Sequence, residues 1–355
     1  MRREGHLQTW NLTLRTLGPL HVDSCRQVKK SEYLFDSATG TVSFLDEHAL
    51  FRYLIAHDLV DAYEAFLLSD QERTLGNFLW NTCGLSREVT DGMVRLRLPA
   101  ADTVTDPVKI HALPRNARGQ VYIPGSTLKG ALRTVLLTEK ILDRPPNSPD
   151  PTRPFDLRTG FEAEYLHTLT LKRDREGRPM VRHMANSSLR GLLVADSAPL
   201  PDSALCLCRK IDYYPDGGYA PQDTCRECVR PGVEITFPVT LDLSVLGNTL
   251  TPEILTRAIA RANRHYRETF LCHFPLAPKI PGENLLRLGG GVGFPSKTVV
   301  GAYYGSQAAA VTRRVLDRRF PKALRDTPGV RPRTWKGTLW QGKCYPWGVC
   351  EVSIR

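Results

Sequence analysis

Long apolar runs are missing from this sequence of 355 residues. No stretch approaches the roughly 20 consecutive apolar residues that a transmembrane helix needs. The N-terminal segment, MRREGHLQTW, carries charges without an apolar region behind it. We therefore expect neither a membrane span nor a secretory signal, and we expect a cytoplasmic protein. Repeats of solenoid period are also missing, which argues against repeat architectures.

Acidic residues are too few to balance the basic ones. Lys and Arg number 48 against 37 Asp and Glu, which gives a formal net charge of +11. This excess favours a polyanionic partner, nucleic acid first and anionic lipid second. A generally basic proteome is the alternative explanation. In a cytoplasmic protein the nine cysteines are expected to be buried thiols, metal ligands or catalysts rather than disulfides.

Strand and helix patterns alternate along the first third of the chain. Residues 8–20 and Thr41 to Leu45 alternate as strands. Asp46 is a good N-cap, and the apolar residues that follow it recur at helical spacing. Ser69-Asp70-Gln71-Glu72 is typical of a capping box before another short helix. We therefore predict a helical hairpin, residues 46–85, inserted between strands.

A proline-rich segment divides the rest of the chain. Residues 144–156 hold five prolines in thirteen positions, so we predict a linker or exposed loop there. This places an N-terminal half at 1–143 and a C-terminal half at 157–355. The other predicted elements are strands at 94–98, 121–123, 205–211 and 233–243, and helices at Ser126–Leu142 and from Thr251 onwards.

The helix predicted from Ser126 begins in an unusual way, within the run YIPGSTLKGALR. Pro124-Gly125 forms a turn at a helix N-terminus, where unpaired N–H groups and the macrodipole attract anions. The hydroxyls of Ser126 and Thr127, with Lys129 and Arg133 on one helix face, suit a phosphate. The spacing is not that of a Walker A loop. A well-capped helix with two solvated cations is an equal alternative.

A glycine-rich loop follows much later, in LLRLGGGVGFPSKT. Four glycines in five residues leave room for another backbone, and Arg287 and Lys297 flank them with positive charge. The alternative is a tight turn without a ligand. Two arginine clusters are also candidates for RNA contacts or for solvated helix faces. They comprise Arg257, Arg261, Arg264 and Arg267, and Arg313, Arg314, Arg318 and Arg319.

Four cysteines have a spacing that permits a metal site. Cys206 and Cys208 share one face of a predicted strand, and Cys225 and Cys228 form a C-x-x-C after a loop-like segment. Together they would supply four thiolates to a structural zinc ion. The alternative is that Cys206 and Cys208 are small buried apolar residues.

The run YIPGSTLKGALR at the start of the predicted helix and the glycine-rich loop together resemble the RAMP proteins of CRISPR effector complexes. The motifs that narrow the resemblance are TLGPLHVDS, TVSFLDEHALFRYL, LVADSAPL, CRKIDYY, RECVRPG and PRTWKG. In this order, over almost the whole chain, they are similar to the fifth subunit of the type III-A Csm complex. The sequence departs from the family after His21, where Asp23 and Cys25 stand in place of common glycines.

The resemblance implies an α+β fold with an RRM-like, ferredoxin-type core, large helical and loop insertions, and one or two such halves. It implies a non-catalytic RNA-binding subunit that caps the filament at the guide RNA 3′ end and supports guide maturation and antiviral defence. Its partners would be guide RNA, the neighbouring backbone and small subunits, and target RNA near the guide 3′ end. The RNA-contacting residues would be His21, Ser126, Thr127, Lys129, Arg133, Arg287, Gly289, Gly290, Gly291, Gly293 and Lys297.

Two other functions remain open on the sequence alone. His21 and Asp23 lie in the loop after the first strand, where a His could act as general base and an Asp could orient it or hold a metal. An endoribonuclease is therefore one alternative, although nothing supplies the further partners that such a site needs. Another RAMP subunit of a type III complex is the second alternative.

Overall fold

Three β-sheets and a set of helices make up the fold, seen in a computed structural model that describes residues 2–69, 74–107, 109–147, 149–150, 160–247, 249–320 and 331–354. The predicted α+β class is confirmed. The strands are β1 (Arg2–Glu4), β2 (Leu7–Thr16), β3 (Gln27–Lys29), β4 (Leu34–Asp36), β5 (Thr41–Leu45), β6 (Val94–Pro99), β7 (Lys109–His111), β8 (Leu192–Val194), β9 (Leu205–Tyr213), β10 (Tyr219–Val229), β11 (Glu234–Asp242), β12 (Leu285–Arg287), β13 (Trp335–Trp340), β14 (Lys343–Pro346) and β15 (Val349–Ile354).

The helices differ widely in length, and the two longest pack together beside the first sheet. They are α1 (Glu47–Ala56), α2 (Val60–Leu68), α3 (Arg87–Gly92), α4 (Gly125–Asp143), α5 (Gly160–Tyr165), α6 (Leu243–Leu246), α7 (Pro252–Thr269), α8 (Phe294–Lys297), α9 (Val300–Tyr304) and α10 (Ala308–Arg319). No helix in the described ranges is long and apolar enough to cross a membrane.

The first sheet has the strand order β12-β15-β2-β11-β8, with β1 paired to β2 at one end. Every neighbouring pair is antiparallel. Trp10, Leu12 and Leu14 alternate along β2 and are buried, because successive side chains of a strand point to opposite faces. They belong to the main core, which also takes in the apolar faces of α4 and α7.

Strands from before and after the proline-rich segment share both large sheets. In the first sheet β2 pairs with β11 and β15. The second sheet, in the order β14-β13-β9-β10-β7-β3, joins β3 and β7 to strands beyond residue 200. Its pairs are antiparallel except β10 with β7. The two predicted halves are therefore interleaved in the fold. Within the predicted linker, residues 148 and 151–156 lie outside the described part.

The helical insertion forms around a core of its own. Strands β4, β5 and β6 make a small antiparallel sheet, and α1, α2, a π-helical turn at Asn77–Thr82 and α3 fill the chain between β5 and β6. Asp46 caps α1 as predicted, accepting from the Ala49 amide over 2.9 Å. Leu54, Phe66 and Leu79 belong to the separate core of this insertion. Three residues of the predicted capping box, 70–72, lie outside the described residues.

The other helix predictions agree with the structure, and one strand prediction does not. The Thr251 hydroxyl accepts from the Ile254 amide over 3.3 Å, and Pro252 opens α7. Residues 121–123 do not form a strand. Val121 makes only isolated bridges, to Arg115 and Leu200, because the turn into α4 follows at once.

Candidate nucleic-acid interface

The glycine-rich loop, residues 289–293, closes on another loop of the same chain. The Gly290 amide donates to the His21 carbonyl oxygen over 2.7 Å. Gly289 has φ +84°, and a Cβ there would stand 2.1 Å from the same oxygen. Only glycine tolerates both the backbone angle and the approach. The glycines do make room for a backbone, but at this point the backbone is the protein's own.

Trp347 holds the glycine-rich loop from a second side. Its indole Nε1 donates to the Gly290 carbonyl oxygen over 2.7 Å, and the ring is buried. A Cβ at Gly291, φ +88°, would stand 2.9 Å from the same nitrogen. The loop is thus held from two sides, which gives it a single shape before any ligand arrives.

Beside this loop the second sheet presents a group of cations. The stems of Lys210 and Lys336 approach Gly291 and Gly293, with ideal Cβ positions 3.5 Å from Lys210 Cδ and 3.6 Å from Lys336 Cγ. Strand alternation places Cys208, Lys210 and Asp212 of β9 on one face. We call this cluster the glycine-loop patch; it comprises Lys210, Asp212, Arg226, Gly291, Gly293 and Lys336.

Register brings the patch together from three strands. Lys336 of β13 stands opposite Asp212, and Arg226 of β10 stands opposite Cys208. Lys336 Nζ pairs with Asp212, and the Arg226 guanidinium lies 5.9 Å from the Trp347 ring centroid. Three cations therefore face one carboxylate at the edge of a glycine-rich loop.

The pKa of Lys210 reflects its burial and the charges around it. The pKa of Lys210 is lowered to about 8, by burial first and then by the Lys336 and Arg226 cations, while Asp212 opposes the shift. An anion placed here would relieve the repulsion among the cations and favour the charged form of Lys210. The patch can therefore bind a phosphate through a preformed set of donors.

Sequence reasoning did not single out Lys210, Arg226 or Lys336 as site residues, although a signal for them existed. Each lies within a motif that carries the family resemblance: CRKIDYY, RECVRPG and PRTWKG. CRKIDYY and RECVRPG lie on the successive strands β9 and β10, and PRTWKG lies about 100 residues later on β13. The three motifs meet through strand pairing, whose register single-sequence periodicity does not reveal.

The mouth of α4 is partly occupied by the protein itself. Pro124 is the N-cap and makes no side-chain cap; the Gly125 amide instead donates to Asp196 Oδ1 over 2.7 Å. A Cβ at Gly125 would stand 2.3 Å from the Val194 carbonyl oxygen. One donor of the predicted phosphate site is therefore already satisfied by a carboxylate. Ser126 is exposed and Thr127 half-buried.

The two cations of this helix face a buried acid. Arg133 Nε lies 2.8 Å from Glu162 Oε2, and the Glu162 side chain is only 6% exposed. Burial lowers the pKa of Lys129, and Glu162 opposes that shift. Glu162 also accepts from the Ser187 hydroxyl over 3.4 Å. Arg133 thus neutralises a core carboxylate, which is a structural role.

The flanking cations of the glycine-rich loop have different surroundings. Arg287 stacks on Tyr266, with 3.6 Å between guanidinium and ring centroid, and donates to Asn263 Oδ1 over 3.0 Å. These contacts tie β12 to α7. Lys297 ends α8 and is exposed, so it is the more accessible of the two.

His21 is in the interior. It is 1% exposed, and its Nδ1 lies 2.7 Å from the Glu227 carbonyl oxygen. Burial lowers its pKa to about 4. Asp23 is exposed and pairs with His111, 3.6 Å from its Nδ1. The predicted contact between His21 and RNA, and its use as a general base, both require a surface position that His21 does not have in this fold.

The four cysteines do not converge. Cys206, Cys208 and Cys228 share one face, with 3.6 Å between the first two sulfurs. Cys225 is three residues from Cys228 on the same strand and therefore points to the opposite face. Burial raises the pKa of the Cys208 and Cys228 thiols, which keeps them protonated. Within the described ranges no group of three or more His, Cys, Asp or Glu side chains is arranged to hold a metal ion. The zinc prediction does not fit this geometry, and the buried-thiol alternative does.

A second basic feature is an exposed arm, residues 170–184, that sequence reasoning missed. Lys172 and Met180 pair across it, with an amide-to-carbonyl distance of 3.0 Å. Buried Asn186 pins its base, accepting from the Lys172 amide over 2.8 Å and donating to the Lys172 and Met180 carbonyls. Five cations against two acids line it, and Leu171 and Val181 are 63% and 53% exposed.

The arginine face of α7 is largely paired with α4. Arg261 Nη1 lies 2.5 Å from Asp143 Oδ1 and 3.3 Å from Glu139 Oε2. Arg257 lies 3.8 Å from Glu139. Arg264 and Arg267 are exposed. Half of this stripe therefore links two helices, and half faces solvent.

Known proteins resemble this chain over its whole length. The protein described as CRISPR system Cms protein Csm5 of Mycobacterium tuberculosis (strain CDC 1551 / Oshkosh) is 28% identical over 385 residues, covering 99% of this chain and 98% of the relative. The protein of the same name from Enterococcus italicus is 26% identical over 393 residues, covering 98% of each.

The fold has solved counterparts. A chain of the cryo-EM structure of the Csm–crRNA–target RNA ternary complex in a type III-A CRISPR-Cas system superposes with a TM-score of 0.63 at 16% identity, covering 97% of this chain and all of that one. The family model of the RAMP superfamily matches residues 13–291. Because that match covers well over half of the sequence, the chain belongs to the RAMP superfamily.

Proposed function

We propose that this chain is a non-catalytic, RNA-binding subunit of a type III-A CRISPR Csm effector complex. In this role it caps the protein filament at the 3′ end of the guide RNA and supports maturation of that end in antiviral defence. Its partners are the guide RNA, the neighbouring backbone and small subunits, and target RNA near the guide 3′ end, in the cytoplasm.

One observation carries the proposal. Curated relatives named Csm5 match 98–99% of this chain and 98% of their own length, so the similarity is not confined to a shared module. Three motifs that carry the resemblance also supply one cation each to the glycine-loop patch. A phosphate-binding role for the patch gives those motifs a common purpose.

The topology supports an RRM-like, ferredoxin-type core. The chain order β2, α4, β8, β11, α7, β15 is a β-α-β-β-α-β unit. In the first sheet these strands lie in the order fourth, first, third, second, with β12 added outside the fourth. Both helices pack against the sheet, which leaves loops and the second sheet to build the RNA surface.

RNA contacts are proposed at three places. The glycine-loop patch holds a phosphate, the basic arm contacts the RNA backbone through Lys172, Arg175 and Arg182, and Ser126, Thr127 and Lys129 offer a further contact at the α4 mouth. All act on the RNA backbone, so binding is tolerant of sequence and falls with salt. A self-contained nuclease centre is not proposed, because His21 is buried and Asp23 pairs with His111.

The test is to tag the chain in its native host, purify it at low salt and sequence the RNA that comes with it. The expected RNA is a set of CRISPR guides with a shared 5′ repeat tag and ragged 3′ ends. The expected proteins are the other subunits of the complex, identified by mass spectrometry. Random RNA, or none, would contradict the proposal.

A matched pair of variants links the outcome to the structure. Lys210→Ala with Lys336→Ala removes two cations of the patch, and Lys279→Ala removes an exposed cation elsewhere. The double variant should reduce the affinity of the purified chain for guide RNA, and the control should not. Cleavage of guide precursor by the purified chain, with or without divalent metal, would count against a non-catalytic role.

A further inference from the structure

The helical insertion exposes large apolar side chains on its outer surface. Phe51 and Ile55 lie one turn apart on α1 and are 48% and 66% exposed; Leu67 and Leu68 end α2 and are 50% and 76% exposed. Val60, at the start of α2, is 38% exposed. We call this the apolar face: Phe51, Ile55, Val60, Leu67 and Leu68. Clustered exposure of this kind marks interaction sites in soluble proteins.

The apolar face is not required by the insertion's own packing. Leu50 and Leu54 of α1 and Phe66 of α2 point inward to the core of the insertion. The outward rows of the two helices meet where the rings of Phe51 and Tyr63 pack edge to face, 6.0 Å apart. The hairpin therefore satisfies its own core with one side and presents a second apolar side to the surroundings.

The charge of this hairpin is opposite to that of the chain. Residues 46–69 hold five carboxylates, Asp46, Glu47, Asp58, Asp61 and Glu64, and one guanidinium, Arg52, in a protein of net charge +11. A nucleic-acid surface would gather cations, and carboxylates here repel phosphates. A second copy of the chain docked through the same surface would bring two acidic hairpins together and is disfavoured for the same reason.

We infer that the apolar face docks a neighbouring protein subunit of the effector complex, on a surface whose apolar centre is ringed by Lys and Arg. This inference rests on the proposed function. Apolar side chains at the centre and complementary charges at the rim are the usual anatomy of a stable protein interface. Docking would cover the apolar residues permanently, as a stable assembly requires.

The test compares two variants with one control in the host-expressed, tagged full chain. Phe51→Ser with Leu67→Ser removes the apolar centre, and Asp61→Lys with Glu64→Lys reverses the rim charge while leaving the apolar face intact. Leu193→Ser, at an exposed apolar position on β8 outside the face, is the control. The subunit composition is read by native mass spectrometry, and thermal unfolding confirms that each variant folds.

Each arm has a defined reading. We expect both variants to lower recovery of the other Csm subunits at least tenfold, while the purified chains bind guide RNA as the wild type does, and the control to recover the full complex. A cross-link from the Ile55→Cys variant should reach a basic subunit. Unchanged subunit composition in both variants overturns the inference. A loss of RNA affinity would mean that the face binds RNA, and a change of the purified chain from dimer to monomer would mean that it binds a second copy; either result also overturns it. So does an intact complex whose guides have altered 3′ ends, which would indicate a docked nuclease. Failure of the wild type to bring down CRISPR guides would instead overturn the proposed function.

Discussion

Gly290 donates its amide hydrogen to the carbonyl oxygen of His21 over 2.7 Å, and this bond joins the glycine-rich loop to the loop after β2. The contact defines the shape of the glycine-loop patch, because Gly291 and Gly293 are thereby held against Lys210 and Lys336. The glycines thus act on the proposed phosphate site indirectly, by setting where the cations stand.

Gly289→Ala should be far more harmful than an alanine at another left-handed glycine. Gly289, at φ +84°, leaves no space for a Cβ near the His21 oxygen, whereas Gly232, at φ +87°, has nothing within 4 Å. Both variants carry backbone strain of about 1–2 kcal/mol, and Gly289→Ala adds a clash of about 1–3 kcal/mol. Urea unfolding of the two variants measures the difference. Equal losses of stability would show that the loop moves away without cost.

The glycine-rich loop illustrates how far sequence reasoning reaches here. Local signals predicted the capped helices α1 and α7, since N-caps and apolar periodicity act within a few residues. The same local reading found the glycines and concluded that they admit a backbone. It did not identify the His21 loop as that backbone, because the two are separated by more than 260 residues.

The cations of the site were missed for a related reason. Lys210 and Arg226 meet across the paired strands β9 and β10, and Lys336 joins them from the distant strand β13. The register that aligns the three cations cannot be read from the periodicity of any one strand. Conversely, Arg133 and His21 have the residue types of an RNA site, yet Glu162 and the Glu227 carbonyl hold them within the fold. Cys225 and Cys228 are three residues apart, so on one strand they point to opposite faces. Predicting a continuous strand through both would therefore have excluded a shared metal site.

Burial of His21 should make the protein sensitive to acid. The ring is neutral when folded, with its pKa lowered from 6.5 to about 4. The unfolded chain binds a proton first, so stability falls as pH drops from 6.5 through about 4, by about 3 kcal/mol in total. His21→Asn keeps a donor near the Glu227 carbonyl without titrating. Unfolding at pH 7.5, 6 and 5 should show a shallower decline for this variant. Parallel pH profiles would rule out His21 as the cause.

Arg133→Ala tests whether the α4 mouth is structural or binds RNA. It leaves Glu162 buried without its guanidinium, which should lower the free energy of unfolding by about 1–2 kcal/mol, since Arg133 is itself partly exposed. Arg133→Ala with Glu162→Gln should recover part of that loss. The salt dependence of RNA binding should stay unchanged in both. If the slope of log affinity against log salt fell by about one, Arg133 would contact a phosphate, as predicted from the sequence.

Asn186→Ala should release the basic arm. Its side chain makes three hydrogen bonds to Lys172 and Met180, and losing them removes the buried group that holds the two sides of the arm together. We expect faster tryptic cleavage at Arg173, Arg175 and Arg182, together with weaker RNA binding. Asn116→Ala, on an exposed turn, is the control. Faster cleavage with unchanged RNA affinity would mean that the arm is ordered by Asn186 but does not contact RNA.

Lys210 should give RNA binding a dependence on pH that few surface lysines produce. Its pKa is lowered to about 8, so the free protein loses this charge as pH rises from 7 to 9, and affinity should fall over the same range. Lys210→Arg keeps its charge throughout and should flatten the profile. Lys210→Ala should bind weakly at every pH, with the slope of log affinity against log salt reduced by about one.

Fluorescence anisotropy with labelled guide RNA measures all three chains, with Lys279→Ala as the control for general loss of charge. If Lys210→Arg and the wild type keep identical pH profiles while Lys210→Ala retains the full salt slope, the glycine-loop patch does not hold a phosphate. The RNA contact would then lie on the arm or at the α4 mouth, which the Asn186 and Arg133 variants test separately.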